Sequence, residues 1–481
     1  MFLLVALIGL ACRLPQLGVR PMHTDEAVNA YIVGQLLGGE SFQYDPQDRH
    51  GPALSALALP LVRMQGARTF SALTERELRL TPVVAGTITI LLFGAAVEMF
   101  GFVPCLLAAL LFAVGPLPVY YDRYFIHESL FCAATFGLIL SAWGAFTRRS
   151  TGYAIVAGAC AALMIACKET AVLHLFALAV AAVVFKLRDL RSGSPSGFLR
   201  KGTLLASIAS CLTLIVILFS WFGTNWKSLV AVAHVVPDVL ARAAGQGHQQ
   251  PFWDFGKLLI GGWSGALLVA FACLGLLITF GKRKASPYKV LAYYGIVLGA
   301  IYSLIPYKTP WLALNFWLPL AVFAAIAAES LWRVAARRAG RGTAIAVFCV
   351  LATASIVLIG HDTRQRVFLH PADEANPYAY AHTSEDILGL SDEIRDMARR
   401  DGIREPRIAV IASDPWPLPW YLRHFEQVGY WQPGQNVADA DFYVTSTEAA
   451  NQYADRLRDF RADFFGSRPG VLILLWLPAP K

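Results

Sequence analysis

The stretch Leu204–Phe222 reads LLASIASCLTLIVILFSWF, nineteen residues without a charge. A helix of that length comes close to the ~30 Å of a bilayer's hydrocarbon core, so the run is a transmembrane candidate. Leu106–Tyr121 is a second uncharged run, and similar windows recur as far as Gly360. Composition agrees: 56% of the 481 residues are hydrophobic and 15% charged, with mean hydropathy +0.50. An ordinary soluble domain carries about 25% charged residues. A water-soluble enzyme and a disordered chain are therefore excluded. The excess of 41 Lys+Arg over 33 Asp+Glu lies mostly in short loops between apolar windows, which is an orientation signal. Nucleic acid is not the partner.

Eleven windows are candidate spans: about 2–18, 80–99, 103–121, 128–146, 152–167, 170–186, 202–222, 257–280, 289–305, 310–332 and 343–360. The pair 152–167 and 170–186, parted only by Lys168 and Glu169, reads as a hairpin. With a cytoplasmic amino terminus, the inner loops carry Arg148, Arg149, Arg188, Arg191, Arg200, Lys201, Lys282, Arg283, Lys284, Arg333, Arg337, Arg338 and Arg341. The lone acid Asp189 opposes them. Removing one span would destroy that parity, so the positive-inside rule supports eleven. The opposite face receives the loops 19–79 and 223–256, the turns near 122–127, 168–169 and 306–309, and the tail 361–481. The first run lacks a basic flank and a small-residue cleavage site, so it reads as a retained helix. All eight cysteines fall in apolar windows, which leaves no disulfide framework and no CxxC site.

The tail 361–481 has ordinary soluble composition and reads as a separate α/β domain of about 120 residues. Ser384–Arg400 is an amphipathic helix ended by Gly402, and Glu448–Phe460 is a second helical pattern. Arg407–Ile411, Phe442–Thr445 and Gly470–Leu477 are strand-like. The transmembrane module is then 1–360.

Polar groups gather in four places on the outer face. Loop 19–79 holds His23-Thr-Asp25-Glu26-Ala, then Tyr44-Asp-Pro and His50-Gly-Pro, ahead of a short apolar patch, Ala53–Val62, suited to lying along the interface. Thr24 or Asp25 would cap a helix over Ala27–Leu37, but capping alone does not need two acids beside a histidine. The next turn is Asp122-Arg123-Tyr-Phe-Ile-His127-Glu128, with Glu128 at the start of a span, where an ionisable group is functional or paired. Lys168-Glu169 reads as an internal ion pair. The fourth place, Tyr307-Lys308-Thr-Pro-Trp311, presents a lysine between two prolines: an anchor for a phosphate or a snorkelling interface residue. Acids, bases and cations on one face suit transfer of a group from a phosphate-bearing lipid, a carboxylate deprotonating the acceptor and cations stabilising the leaving phosphate. His23, Asp25 and His127 could instead hold a divalent metal, although their spacing matches no metal motif.

These motifs resemble the GT-C superfamily of polyprenyl-phosphate-sugar-dependent transferases. They look closest to glycosyltransferase family 39, the protein O-mannosyltransferase and aminoarabinose transferase relatives, in the branch called flippase-activity-associated. Asn376-Pro-Tyr-Ala-Tyr-Ala-His-Thr383 and Asp414-Pro-Trp-Pro-Leu-Pro-Trp-Tyr421 in the tail also look like that branch. The resemblance implies a GT-C-type helical membrane protein in the cell inner (plasma) membrane. Its amino terminus would be cytoplasmic and its tail domain extracytoplasmic. It further implies a hexosyl transfer, with inversion, from a polyprenyl-phosphate sugar donor to a glycan or protein acceptor. Asp25 would be the general base, with Glu26 and Glu128 as the further catalytic acids. His50, Arg123, His127, Tyr307 and Lys308 would meet the donor, Arg123 and Lys308 facing its phosphate. His50 stands where relatives carry lysine and Glu128 where they carry aspartate, so the sugar is not carried over. A lipid-linked-oligosaccharide flippase, or its accessory, is the alternative. It would need a polar path through the bundle, and the span interiors are poor in charge.

Overall fold

The computed structural model describes residues 1–46, 48–191, 200–232, 249–281 and 286–479, without the side chains of 189–191. Lys282, Arg283 and Lys284 of the inner charge count lie outside the described residues. Each of the eleven windows contains a helix. In chain order, with the helices between them, the principal ones are α1 Phe2–Arg13, α2 Thr24–Leu37, α3 Ala53–Met64, α4 Glu75–Ala95, α5 Phe102–Val114, α6 Pro116–Tyr121 and α7 Glu128–Arg148. They continue as α8 Thr151–Cys167, α9 Ala171–Arg191, α10 Lys201–Phe219, α11 Trp263–Gly281, α12 Pro287–Leu304, α13 Leu314–Arg338, α14 Arg341–Thr363 and α15 Leu390–Arg400. Among the described residues seven helices are long and apolar enough to cross a membrane, while α1, α3, α5 and α8 are shorter apolar helices.

Two windows differ from their expected extent for local reasons. The window 103–121 divides into α5 and α6 because Gly115 leaves helical geometry and Pro116 opens the new helix. Proline is tolerated at a first helical turn and disruptive inside one. The first helix ends at Arg13, whose side chain turns back to the bundle. The hairpin reading holds, with only Lys168–Thr170 between α8 and α9.

The chain forms two compact units: Met1–Pro15, Ser41–Ala58 and Arg79–Leu369, then Gln16–Glu40, Leu59–Leu78 and His370–Lys481. In the first, α8 packs on α7 and α10, α9 on α12, and α13 on α5 and α11. Small residues allow these approaches. A Cβ on Gly158 of α8 would lie 2.0 Å from the Ser207 carbonyl oxygen of α10, so the two backbones touch only because glycine is there. Arg13 and Asp122 are both fully buried and 2.8 Å apart. Arg13 also donates to the Phe112 and Ala113 carbonyls freed at the end of α5. That use of a buried cation follows from the break at Gly115, which leaves helix-end acceptors without intrahelical partners.

The second unit is larger than the tail, because two pieces of the stretch between α1 and α4 fold with it. Its five-stranded sheet runs β2 (Gln427–Trp431), β1 (Arg407–Ile411), β3 (Phe442–Ser446), β5 (Val471–Pro478), β4 (Phe460–Arg468). β1 is parallel to both neighbours, with Ala409 opposite Gly429 and Tyr443, and β5 is antiparallel to β3 and β4. Ala409, Ile411, Val437, Tyr443, Ala449 and Leu457 form a core on one face. Three expectations change here. The helix at 448–460 stops at Gln452, and Phe460 instead opens β4. The helix expected from Ser384 begins with a 3-10 turn, Glu385–Gly389, before α15. The third change is the strand β2, which the sequence pattern did not suggest.

Candidate functional site

Most residues singled out from the sequence fall into one group in each unit, while Arg123, Tyr307 and Lys308 meet other partners. In the second unit they sit at the start of α2. The N-cap is His23, not Thr24 or Asp25. Its Nδ1 accepts the Asp25 N–H at 3.1 Å, and Glu26 Oε2 accepts the His23 N–H at 3.2 Å, which together make a capping box. Because Nδ1 is an acceptor, the ring proton sits on Nε2 and the 4.0 Å approach to Asp25 Oδ1 is no ion pair. Burial holds the His23 pKa below the ordinary histidine value, against the pull of Asp25 and Glu26.

The two adjacent acids are thereby separated in role. Glu26 is completely buried, committed to the cap, and 3.8 Å from Arg20. The Asp25 side chain is 47% exposed and sits in the first turn of α2, where the helix dipole favours an anion. A general base must reach its proton, and of the two only Asp25 faces solvent.

Two tail segments hold the chain just ahead of this turn. The Met22 N–H donates to the Tyr421 hydroxyl at 2.8 Å, and the Thr383 hydroxyl donates to the Met22 carbonyl at 2.6 Å. The His382 ring lies edge-on to His23, with centroids 5.6 Å apart. Burial also pushes the His382 pKa well below the ordinary value, so the two rings meet without like-charge repulsion. Trp420 donates from Nε1 to Glu75 at 2.8 Å, and the Arg423 guanidinium stacks 3.7 Å over the Trp420 ring. None of these partners was identifiable from spacing. The only sequence signal is that Thr383 and Tyr421 end the two tail motifs.

In the first unit, His50, His127, Glu128, Lys168 and Glu169 form a second group. A Cβ on Gly51 would lie 2.3 Å from the Ala166 carbonyl oxygen, so glycine lets the His50 loop meet the end of α8. There His50 Nδ1 lies 2.8 Å from Glu169 Oε2, and the Tyr44 hydroxyl donates to Glu169 Oε1 at 3.3 Å. The His127 ring is edge-on to His50 at 5.1 Å. Lys168 Nζ donates to Glu128 Oε1 at 2.5 Å. Lys168 and Glu169 do not pair chiefly with each other, as adjacency suggested. Each reaches a separate element instead. Burial disfavours the Lys168 ammonium, but the Glu128 carboxylate overrides it and holds the pKa above the ordinary lysine value. Burial, then the charges of His50 and Lys168, push His127 far toward its neutral form.

Two cations expected at a phosphate also brace backbone carbonyls. Arg123 donates to the Arg13 and Pro15 carbonyls at 3.0 and 2.6 Å and lies 4.7 Å over the Phe368 ring. Lys308 is buried and donates to the Ile305 and Gln250 carbonyls at 2.6 and 3.2 Å. That bracing fixes the turn whose half-exposed Tyr307 bridges Gln249. The metal alternative finds no geometric support. Among the described residues no group of three or more His, Cys, Asp or Glu side chains is arranged to hold an ion. His23 gives its Nδ1 to a backbone amide instead.

Comparison with known proteins adds the fold. Residues 65–221 match the family described as dolichyl-phosphate-mannose-protein mannosyltransferase. No curated protein matches by sequence. Among solved structures, ArnT from Cupriavidus metallidurans bound to undecaprenyl phosphate aligns with a TM-score of 0.68 at 15% identity, covering 100% of this chain and 99% of that one. The Archaeoglobus fulgidus oligosaccharyltransferase tethered with an acceptor peptide gives 0.57 at 15% identity, over 89% of this chain and 63% of that one. The arabinofuranosyltransferase AftD from Mycobacteria gives 0.51 at 14% identity, over 100% of this chain and 40% of that one. With its apolar helices and small terminal sheet, the chain is a multi-pass membrane protein of the GT-C fold that resembles glycosyltransferase family 39.

Proposed function

We propose that this protein is a membrane glycosyltransferase that moves a monosaccharide from a polyprenyl phosphate to an extracytoplasmic glycan or protein acceptor. The observation that carries the reading is the half-exposed Asp25 carboxylate at the head of α2. It stands in a chain that aligns end to end with ArnT, solved bound to undecaprenyl phosphate. Asp25 takes the proton of the acceptor hydroxyl or amide as that atom attacks the sugar's anomeric carbon. The bond from that carbon to the phosphate oxygen breaks, the polyprenyl phosphate leaves with the electron pair, and the sugar carbon inverts. Within the first unit, His50, one-third exposed, and Lys168, 12% exposed, are basic residues facing Glu169 and Glu128. Arg123 and Lys308, the residues the resemblance assigns to the lipid phosphate, also donate to loop carbonyls. The protein would lie in the plasma membrane, its amino terminus inside and its tail domain outside.

The test uses purified protein in lipid with a panel of radiolabelled polyprenyl-phosphate monosaccharides and native membrane extract as acceptor. Donor loss and free polyprenyl phosphate are followed for the wild type and Asp25→Asn. Turnover that vanishes in the variant is the expected result, and the donor consumed names the sugar. Equal turnover in both proteins removes Asp25 from the mechanism. With no donor consumed, a transport role takes its place.

A further inference from the structure

The two tail motifs have no chemistry of their own in the reaction above, yet both end on the same residue. Met22 is fully buried. Its N–H is taken by the Tyr421 hydroxyl and its carbonyl by the Thr383 hydroxyl, at 2.8 and 2.6 Å. Tyr421 closes Asp414–Tyr421 and Thr383 closes Asn376–Thr383. One residue beyond Met22 is the His23 cap, whose ring meets His382 of the same motif, and two further on is Asp25. We infer that Thr383 and Tyr421 are positioning residues that set the Asp25 carboxylate, so that the tail domain is a working part of the transferase site. This rests on the function proposed above.

The physical case is one of orientation. Residues 16–23 have no regular secondary structure between α1 and α2, so the start of α2 has no helical or sheet ladder to fix it from the amino-terminal side. Two side-chain hydrogen bonds to both polar groups of one peptide residue, each buried, replace such a ladder. They hold the peptide that leads into the cap, and the capping box transmits that placement to the first helical turn. Displacing a catalytic group by about 1 Å can reduce rate by about a hundred-fold. Loss of one hydroxyl relaxes the turn partially, so a smaller effect on rate is expected.

The experiment measures kcat and KM for the polyprenyl-phosphate sugar in the full-length protein in lipid. The variants are Tyr421→Phe, Thr383→Val, Thr383→Ser, Asp25→Asn and, as a tail control, Arg407→Ala. Tyr421→Phe and Thr383→Val are expected to lower kcat about ten-fold with KM for the donor held within about two-fold. Thr383→Ser keeps the hydroxyl and is expected to restore most of the rate. Arg407→Ala, which removes an exposed pair with Asp441, is expected to leave both constants unchanged. A purely structural hydroxyl would lower the amount of folded enzyme and not kcat per folded molecule, counted as monodisperse protein on gel filtration. Wild-type kcat in Tyr421→Phe and Thr383→Val overturns the inference, as does an equal loss in Arg407→Ala. If Thr383→Val does not fold, Tyr421→Phe, which deletes a single oxygen, decides alone. A wild type that consumes no donor, or one matched by Asp25→Asn, shows instead that the proposed function has failed and the inference with it.

Discussion

The head of α2 and the group around Glu128 and Glu169 use the same residue types in opposite ways. At α2 the charges are sorted: Glu26 is buried in the cap and Asp25 is left half exposed one position away. Around Glu128 each acid has its own basic partner, with Lys168 on Glu128 and His50 on Glu169. An exposed carboxylate contributes little to stability and can do chemistry, whereas a paired buried one is tied to the fold. The difference predicts separable phenotypes. Asp25→Asn is expected to lower donor turnover by about a thousand-fold, within the range for loss of a general base. Its unfolding midpoint in detergent should stay that of the wild type. A lowered midpoint would place Asp25 with the structural acids and erase the contrast.

The second group should respond the other way. Lys168→Met leaves Glu128 buried without its cation and is expected to lower stability by about 3–5 kcal/mol. Adding Glu128→Gln to it should recover most of that loss, because the uncompensated charge is removed along with its partner. A double variant as unstable as the single one would mean that Lys168 packs more than it pairs. Glu26→Ala lies between the two extremes. It removes the acceptor of the His23 N–H and a carboxylate 3.8 Å from Arg20, for an expected loss of about 1–3 kcal/mol read as an unfolding midpoint. Donor turnover per folded molecule should fall less than in Asp25→Asn, which separates the neighbouring acids by measurement.

The same contrast explains what could be read from the sequence. The helical windows were legible because apolar runs of membrane length have few alternatives, although the run 103–121 reads as unbroken across Gly115-Pro116. The edge strands β2 and β4 were not. Gln427–Trp431 buries no residue fully, and Phe460–Arg468 interleaves Arg461 and Asp463 with its aromatics, so neither shows a clean period of two. In the candidate site the residue types were legible and the partners were not. Glu128 meets a lysine 40 positions away, and Met22 meets a tyrosine 399 positions away. Adjacency therefore suggested Lys168 with Glu169, where the fold supplied Glu128, and the flanking prolines of Lys308 gave no sign of the backbone carbonyls it meets. The boundary drawn at 360 likewise hid that residues 16–40 and 59–78 fold with the tail.

A third arrangement, in which one partly buried acid faces another that also has Arg461 3.5 Å away, sharpens the comparison with the smallest expected effect. Glu393 of α15 shares a hydrogen bond with Asp463 of β4. Burial, reinforced by that bond and by the Asp463 charge, raises the Glu393 pKa from 4.5 to about 7. The folded chain thus holds this proton more tightly than the unfolded chain does. The contribution to stability is complete below the ordinary carboxyl value and is lost as pH rises through about 7. Hydrogen exchange over β4 and β5, corrected for the intrinsic pH dependence of the amides, should show protection falling between pH 5 and pH 8. Glu393→Gln keeps a hydrogen-bond donor toward Asp463 without titrating, and it should flatten that profile. A wild-type profile that is already flat would mean the two carboxyls stand apart in solution. A fall that persists in Glu393→Gln would assign the proton to another group in the tail. Around Glu128 the fold meets a buried acid with a cation, whereas at Glu393 burial and a neighbouring carboxyl outweigh the nearby Arg461 and favour the protonated form.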